Sequence, residues 1–176
     1  MAIRPGRCYT PRSRAWTRTT KRVASKAFVR GVPDSRIHVL DMGNAKKVGE
    51  FDLRANLRMT KDCQIRDNAL EAARVAANKI FEVRILPENY YFKVRVYPHQ
   101  CLREHSMLTG AGADRLSDGM RLSFGKPMGR AAAVNAGQVI FTVHTFKKFE
   151  EEARRGFEIA TKKMPGNPII EVELRK

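Results

Sequence analysis

The chain has 176 residues, of which 43% are hydrophobic, and 34 Lys and Arg against 18 Asp and Glu give a formal net charge of +16. This length and apolar content suit one domain with a genuine core, which excludes a wholly disordered basic tail. No apolar run approaches the ~20 residues of a membrane-spanning helix, and the charge makes a polyanion (RNA, DNA or an anionic membrane) the expected partner.

The positive charge is concentrated in residues 1–33, which we predict to be a basic N-terminal arm. This segment holds nine Lys and Arg, and the first acidic residue is Asp34. Basic groups contact phosphates, and the interleaved rings of Tyr9, Trp16 and Phe28 could stack on bases, so the arm indicates nucleic-acid binding rather than solubility alone. The arm residues expected to bind RNA are Arg4, Arg7, Arg12, Arg14, Trp16, Arg18, Lys21, Arg22 and Lys26.

The three cysteines, Cys8, Cys63 and Cys101, are widely spaced and form no C-x-x-C pair. A disulfide framework and a structural zinc site are therefore not expected, nor is any metal or cofactor. The acid-free, Arg-rich N-terminus loosely resembles a mitochondrial transit peptide. Pro5 and Pro11 argue against the amphipathic helix that such a peptide requires.

The first half of the chain predicts two strands, a helix and a third strand. Residues 36–40 suit a short strand, and residues 50–59 alternate apolar and polar positions as a half-buried strand does. Asp67 is the expected N-cap of a helix reaching about residue 81, with one stripe through Ala69, Ala73, Ala76 and Ile80 and a second through Leu70, Ala77 and Phe81. Residues 90–97 then predict a β-branched and aromatic strand ending before Pro98.

The second half opens with residues 99–130, which are glycine-rich and predict mostly a long loop, with a possible short strand near 119–124. Strands are expected at 131–134 and 138–145, a helix at 146–163 and a strand at 168–174. We predict an α+β fold: a two-layer sandwich of a mixed or antiparallel sheet with two main helices on one face. Residues 34–176 would form this single domain.

Two glycine-containing segments superficially resemble nucleotide-binding loops. Gly119 and Gly125-Lys126-Pro127 have five residues between the glycines where a phosphate-binding loop has four, and Pro127 replaces its hydroxyl residue. Gly110-Ala-Gly112 lacks the third glycine of a dinucleotide fingerprint. Residues 126–130 are better explained as an RNA-contacting turn or as a plain surface turn, and the residues alone leave both open.

An enzyme is the other function class that the residues allow. His99 and His105 flank Cys101, so a Cys–His nucleophile is conceivable. No residue nearby supplies an orienting third group or an oxyanion site, and the spacings of His38, His99, His105 and His144 do not suit a metal. We therefore predict that the chain is not an enzyme.

Three ordered motifs resemble one family closely: AGADRLSDGMR (111–121), FGKPMGRAA (124–132) and GQVIF (137–141), together with the opening RPGRCYT (4–10). They are similar to the L-sixteen family of large-subunit ribosomal proteins, and most of all to its archaeal and eukaryotic branch, L-ten-e. The resemblance covers essentially the whole chain. It implies an α/β-hammerhead type fold and a structural, non-enzymatic role in translation.

The resemblance also implies where the parts of the chain work. Members bind large-subunit rRNA beside the aminoacyl-tRNA site, and a long loop, here about 99–118, extends towards the peptidyl transferase centre and helps position tRNA. The N-terminal arm corresponds to an extension that threads into rRNA. Beyond the arm, the implied rRNA contacts are Arg121, Lys126 and Arg130. The implied loop residues near the tRNA site are His99, Gln100, Arg103, His105, Gly110, Gly112, Asp114 and Arg115.

The expected partners follow from the same resemblance. They are large-subunit rRNA, neighbouring ribosomal proteins and aminoacyl-site tRNA, without a membrane or a homo-oligomer, and the expected location is the ribosome in the cytoplasm. The alternative that the residues leave open is a free-standing DNA- or RNA-binding protein outside the ribosome.

Overall fold

The computed structural model describes residues 4–11, 29, 31–105 and 125–174. These residues form an α+β structure, as predicted. Its elements in chain order are β1 Asp41–Gly43, β2 Leu53–Arg58, β3 Cys63–Arg66, α1 Asp67–Arg84, β4 Tyr90–Val94, β5 Gln100–Glu104, β6 Lys126–Val134, β7 Val139–Thr145, α2 Glu150–Thr161 and β8 Ile169–Leu174.

The strands are divided between two sheets, where we had expected one. A five-stranded sheet has the order β1-β4-β7-β2-β8, a three-stranded sheet has the order β3-β6-β5, and every pairing is antiparallel. The chain passes from one sheet to the other between β2 and β3 and again between β6 and β7. These two connections lie side by side: the Met59 amide donates to the Gln138 carbonyl (2.9 Å), and the Gly137 amide donates to the Met59 carbonyl (2.7 Å). Period-2 alternation reports a strand's buried face, but it carries no information about which sheet the strand joins.

The main core lies between the helices and the five-stranded sheet. Phe81 of α1 packs edge-on against Phe92 of β4 (5.3 Å between ring centroids) and Phe157 of α2 (5.9 Å). Phe92 in turn meets Phe141 of β7 at 5.3 Å. All four rings are fully buried, so this aromatic cluster joins both helices to the centre of the sheet.

The two helices approach each other closely at a glycine. A Cβ added to Gly156 would lie 2.3 Å from Cε1 of Phe81, so only glycine fits at this point of α2. Of the two predicted stripes on α1, the buried one runs through Leu70, Ala77 and Phe81. Ala69, Ala76 and Ile80 of the other stripe are only half-buried.

Several predicted elements are confirmed with shorter bounds, and others are corrected. Residues 36–40 form no strand; the strand is the next segment, β1. The N-cap of α1 is Arg66, and Asp67 is the first helical residue. Strand β3, with only four residues, adds to the predicted elements, and α2 begins at Glu150, after a separate 3-10 turn at Lys147–Phe149. Residues 99–130 carry β5 at one end and the start of β6 at the other; the possible strand near 119–124 lies outside the described residues.

Candidate nucleic-acid interface

Only part of the predicted interface falls within the described residues. Arg4, Arg7, Lys126 and Arg130 are described among the expected rRNA contacts, and His99, Gln100, Arg103 and His105 among the loop residues. The remaining predicted residues lie outside the described part of the chain: Arg12, Arg14, Trp16, Arg18, Lys21, Arg22, Lys26, Gly110, Gly112, Asp114, Arg115 and Arg121.

Strands β5 and β6 form the stem that carries the predicted loop. They pair from Gln100↔Ala131 to Glu104↔Lys126, with an irregularity between Leu102 and Arg103. Gln100 is buried at the far end of this stem, and Arg103 is half-buried near the loop. The segment that joins the two strands, and that includes residues 106–124, therefore leaves and re-enters the body at adjacent positions.

Gly125 closes this stem. It has φ +83°, and an added Cβ would lie 2.4 Å from the carbonyl carbon of Glu104 and 2.6 Å from the amide nitrogen of His105. A glycine next to the predicted RNA-contacting segment suggests room for a phosphate to approach the backbone. The structure gives this glycine a different role, because the close approach is to the protein's own chain.

The predicted turn at 126–130 is strand. Lys126 to Arg130 belong to β6, and Lys126 is exposed. Arg130 is directed inward: its Nε donates to the carbonyl of Pro33 (2.8 Å), and its Nη2 lies 3.9 Å from Oδ1 of Asp34. Because its side chain is only 17% exposed and its partners are Pro33 and Asp34, Arg130 mainly holds the junction between the arm and the domain.

The start of the arm is docked across the three-stranded sheet. The Gln64 amide of β3 donates to the Thr10 carbonyl (2.9 Å), and Nη1 of Arg66, also on β3, donates to the Arg4 carbonyl (2.9 Å). At β5, the Tyr9 hydroxyl donates to Oε2 of Glu104 (2.7 Å), and Nε of Arg4 forms an ion pair with Oε1 of the same carboxylate. Residues 4–11 thus connect the two outer strands of this sheet.

Tyr9 is part of this docking and not a stacking platform. It is 7% exposed, and the Arg66 guanidinium lies 5.7 Å from the centre of its ring. Burial, and then the hydrogen bond to Glu104, raise the pKa of Tyr9 to about 12. The phenol is therefore protonated and able to donate throughout the neutral range. Arg4 and Arg7 stay exposed beside it.

The structure does not support the alternative of a cysteine nucleophile. Cys101 is 6% exposed within β5, and burial raises the pKa of its thiol. Its Sγ lies 3.7 Å from the Leu102 carbonyl, so the thiolate that nucleophilic attack requires is disfavoured. The flanking His99 ring lies 4.9 Å from the Tyr97 ring.

The described residues contain neither a candidate metal site nor a membrane-spanning helix. Residues 4–11, 31–105 and 125–174 contain no group of three or more His, Cys, Asp or Glu that could hold a metal ion. Neither helix in this part of the chain is long and apolar enough to cross a membrane.

The charge on the two sheets differs sharply. The strands of the five-stranded sheet carry three basic and three acidic residues, joined as Arg54–Glu173, Arg58–Glu171 and Lys93–Asp41 pairs. Those of the three-stranded sheet carry four basic residues, Arg66, Arg103, Lys126 and Arg130, against Glu104. A positive potential is therefore expected at the smaller sheet, where the arm and the loop also begin.

Comparison with known proteins identifies the family. The family model described as "Ribosomal protein L16p/L10e" matches residues 11–170. The large ribosomal subunit protein uL16 of Staphylothermus marinus is 45% identical over 166 residues, which cover 94% of this chain and 90% of that protein. The uL16 proteins of Archaeoglobus fulgidus (43% over 173 residues; 98% and 94%) and Methanocella arvoryzae (44% over 174 residues; 98% and 96%) are similar over nearly their full length. The chain therefore belongs to the L16p/L10e family of ribosomal proteins, which are structural constituents of the cytoplasmic ribosome's large subunit and not enzymes.

Proposed function

We propose that the chain binds large-subunit rRNA beside the aminoacyl-tRNA site through its N-terminal arm and the basic three-stranded sheet. The loop between β5 and β6 extends towards the peptidyl transferase centre and helps position tRNA. The observation that carries this proposal is the docking at Glu104. The start of the arm and the base of the loop meet there, on the sheet with the unbalanced positive charge.

The distribution of charge supports rRNA as the main partner. Phosphate neutralisation by Lys and Arg releases counterions and supplies most of the affinity for a nucleic-acid backbone. Arg7 and Lys126 are exposed on the basic side, and the arm continues past Pro11 into seven more of the predicted contacts. The residue-level contacts with rRNA remain part of the proposal.

Salt dependence of binding tests the phosphate contacts. We expect the logarithm of the affinity for large-subunit rRNA to fall linearly with the logarithm of salt concentration. Arg7→Gln and Lys126→Gln should each lower the slope by about 0.7–0.9 if one phosphate contact is lost. Lys162→Gln and Lys163→Gln are the matched controls, since both residues are exposed after α2. A flat slope, or equal losses in the controls, would contradict the proposal.

Replacement of the loop tests whether rRNA binding and tRNA positioning belong to different parts of the chain. Because Glu104 pairs with Lys126 at the end of the stem, residues 106–124 can be replaced by a short turn between His105 and Gly125 without removing the ladder. We expect the variant to enter large subunits normally and to impair tRNA binding at the aminoacyl site. Loss of rRNA binding by this variant would place the main contacts in the loop instead.

The free-standing alternative is separated from this proposal by sedimentation. A structural constituent should travel with large subunits through a high-salt gradient. A free nucleic-acid-binding protein should remain at the top, because its phosphate contacts are screened.

A further inference from the structure

We propose that Arg4, Tyr9 and Glu104 form a latch by which the start of the N-terminal arm fixes the base of the loop, so that Glu104 is a positioning residue for residues 106–124. The latch itself is a property of the folded chain. Its consequence for tRNA rests on the proposed function, and the experiments below separate the two.

Glu104 is placed to work as a junction. It is the last residue of β5, its side chain is 10% exposed, and both carboxylate oxygens are used, Oε1 by Arg4 and Oε2 by Tyr9. A carboxylate with so little access to water needs charged or hydrogen-bonding partners. Here those partners come from a segment 95 residues away in the chain, so docking of the arm directly stabilises the end of the stem.

The two strands approach each other closely at the same end of the stem. Gly125 lies against the backbone of Glu104 and His105 so closely that an added Cβ would clash. The two ends of the loop therefore move together, and a displacement of Glu104 carries Gly125 with it. Whatever holds Glu104 sets the direction in which the loop leaves the body.

Arg66 anchors the other side of the latch. It donates to the Arg4 carbonyl and lies over the ring of Tyr9, while the neighbouring Gln64 amide bonds to Thr10. Strands β3 and β5 are separated by β6, so residues 4–11 brace two strands that do not pair with each other.

A passive surface ion pair is the competing interpretation. Arg4 is 53% exposed, and an exposed pair of this kind contributes little by itself. The Tyr9–Glu104 hydrogen bond distinguishes the latch from such a pair, because it is partly buried and charge-assisted, and charge-assisted bonds are among the stronger ones. The test therefore centres on Tyr9.

Hydrogen exchange of the free full-length chain tests whether the latch holds the stem. Tyr9→Phe keeps the ring and removes the donor, and Glu104→Gln keeps the shape and removes the charge. We expect each to raise amide exchange in peptides covering 100–105 and 125–131 by about tenfold or more, with β2 and β7 unchanged. Glu173→Gln is the control, since it breaks a more exposed pair, with Arg54, on the other sheet.

Arg4→Gln separates the ion pair from the hydrogen bond. It should raise exchange at the stem less than Tyr9→Phe does, because the Arg4 side chain is 53% exposed. Equal exchange in Tyr9→Phe, Glu104→Gln and Glu173→Gln would overturn the latch. This outcome would leave the proposed binding of rRNA untouched.

Cross-linking in assembled subunits tests whether the latch aims the loop. A photoreactive group at position 112 should mark one set of neighbours in the wild type and a broader or displaced set in Tyr9→Phe, at equal subunit incorporation. An unchanged pattern would overturn the positioning role. Failure of the wild-type group to mark tRNA or peptidyl-transferase rRNA would instead contradict the proposed function, while the exchange experiment would still decide the latch.

Discussion

The two sheets of this protein are held in different ways. The five-stranded sheet is stabilised by burial: both helices and four phenylalanines meet over it, and its charges are balanced in pairs. The three-stranded sheet also buries Ile65, Ala132 and Val134 in the core, but a segment at the start of the chain contacts its two outer strands, and its strands carry four basic residues against one acid. The first sheet carries the aromatic core of the fold, and the second carries the unbalanced positive charge and the base of the loop.

The largest expected effect on stability comes from a substitution in the core that covers the five-stranded sheet. Phe81→Ala removes a ring that touches Tyr90, Phe92 and Phe157. We expect the free energy of unfolding to fall by about 3–5 kcal/mol, since the site is fully buried between elements that cannot easily collapse. Denaturant titration measures this. Val83→Ala, at a position 68% exposed on the same helix, should change stability by less than about 0.5 kcal/mol; similar losses in both would mean the aromatic cluster is not the main core.

The same contrast explains what the sequence could predict. Helix α1 and β2 show clear apolar periodicity, and β7 is a short run in which nearly every residue is buried; all three are predicted correctly. Strand β3 has four residues, and β6 contains Pro127 and Gly129, so both lack that signal. The docking of Tyr9 on Glu104 joins residues 95 positions apart, and no local pattern reports such a contact. The arm was correctly seen as basic, but its first residues also serve the fold.

A smaller effect is expected where the second sheet meets the loop. Gly125→Ala places a side chain at φ +83° and against the Glu104 backbone. We expect a loss of about 1–3 kcal/mol, together with faster amide exchange confined to β5 and the start of β6. Gly129→Ala is the matched control on the same strand, since an added Cβ there meets nothing within 4 Å. Equal effects at the two glycines would show that the closure at Gly125 is unimportant.

The titration of Tyr9 gives a third, pH-dependent comparison. Its folded pKa of about 12 lies above the ordinary 10.0, so the protonated phenol stabilises the fold fully below pH 10. This contribution is lost as the pH rises from 10 to 12, because the unfolded chain releases the proton first. The stability difference between wild type and Tyr9→Phe should therefore shrink over that interval in denaturant titrations.

A matched variant separates Tyr9 from the other groups that titrate at high pH. Burial raises the pKa of Tyr90 to about 12 as well, so Tyr90→Phe should show a similar trend without any change in exchange at the stem. If the stability difference for Tyr9→Phe stays constant between pH 10 and 12, the pKa of Tyr9 is not raised, and its burial and its hydrogen bond to Glu104 are absent in solution.

The smallest effect is expected at the balanced edge of the large sheet. Nε of Arg58 lies 2.7 Å from Oε2 of Glu171, but the two side chains are 38% and 40% exposed, so Glu171→Gln should cost less than about 1 kcal/mol.

Removing this acid also raises the net charge by one, to +17 from +16. If charge anywhere on the surface determined RNA binding, the salt slope would steepen as it would for an added contact. We expect the slope in an rRNA binding assay to stay unchanged, because phosphate contacts act over about a Debye length of ~10 Å and β8 belongs to the sheet that carries neither the arm nor the loop.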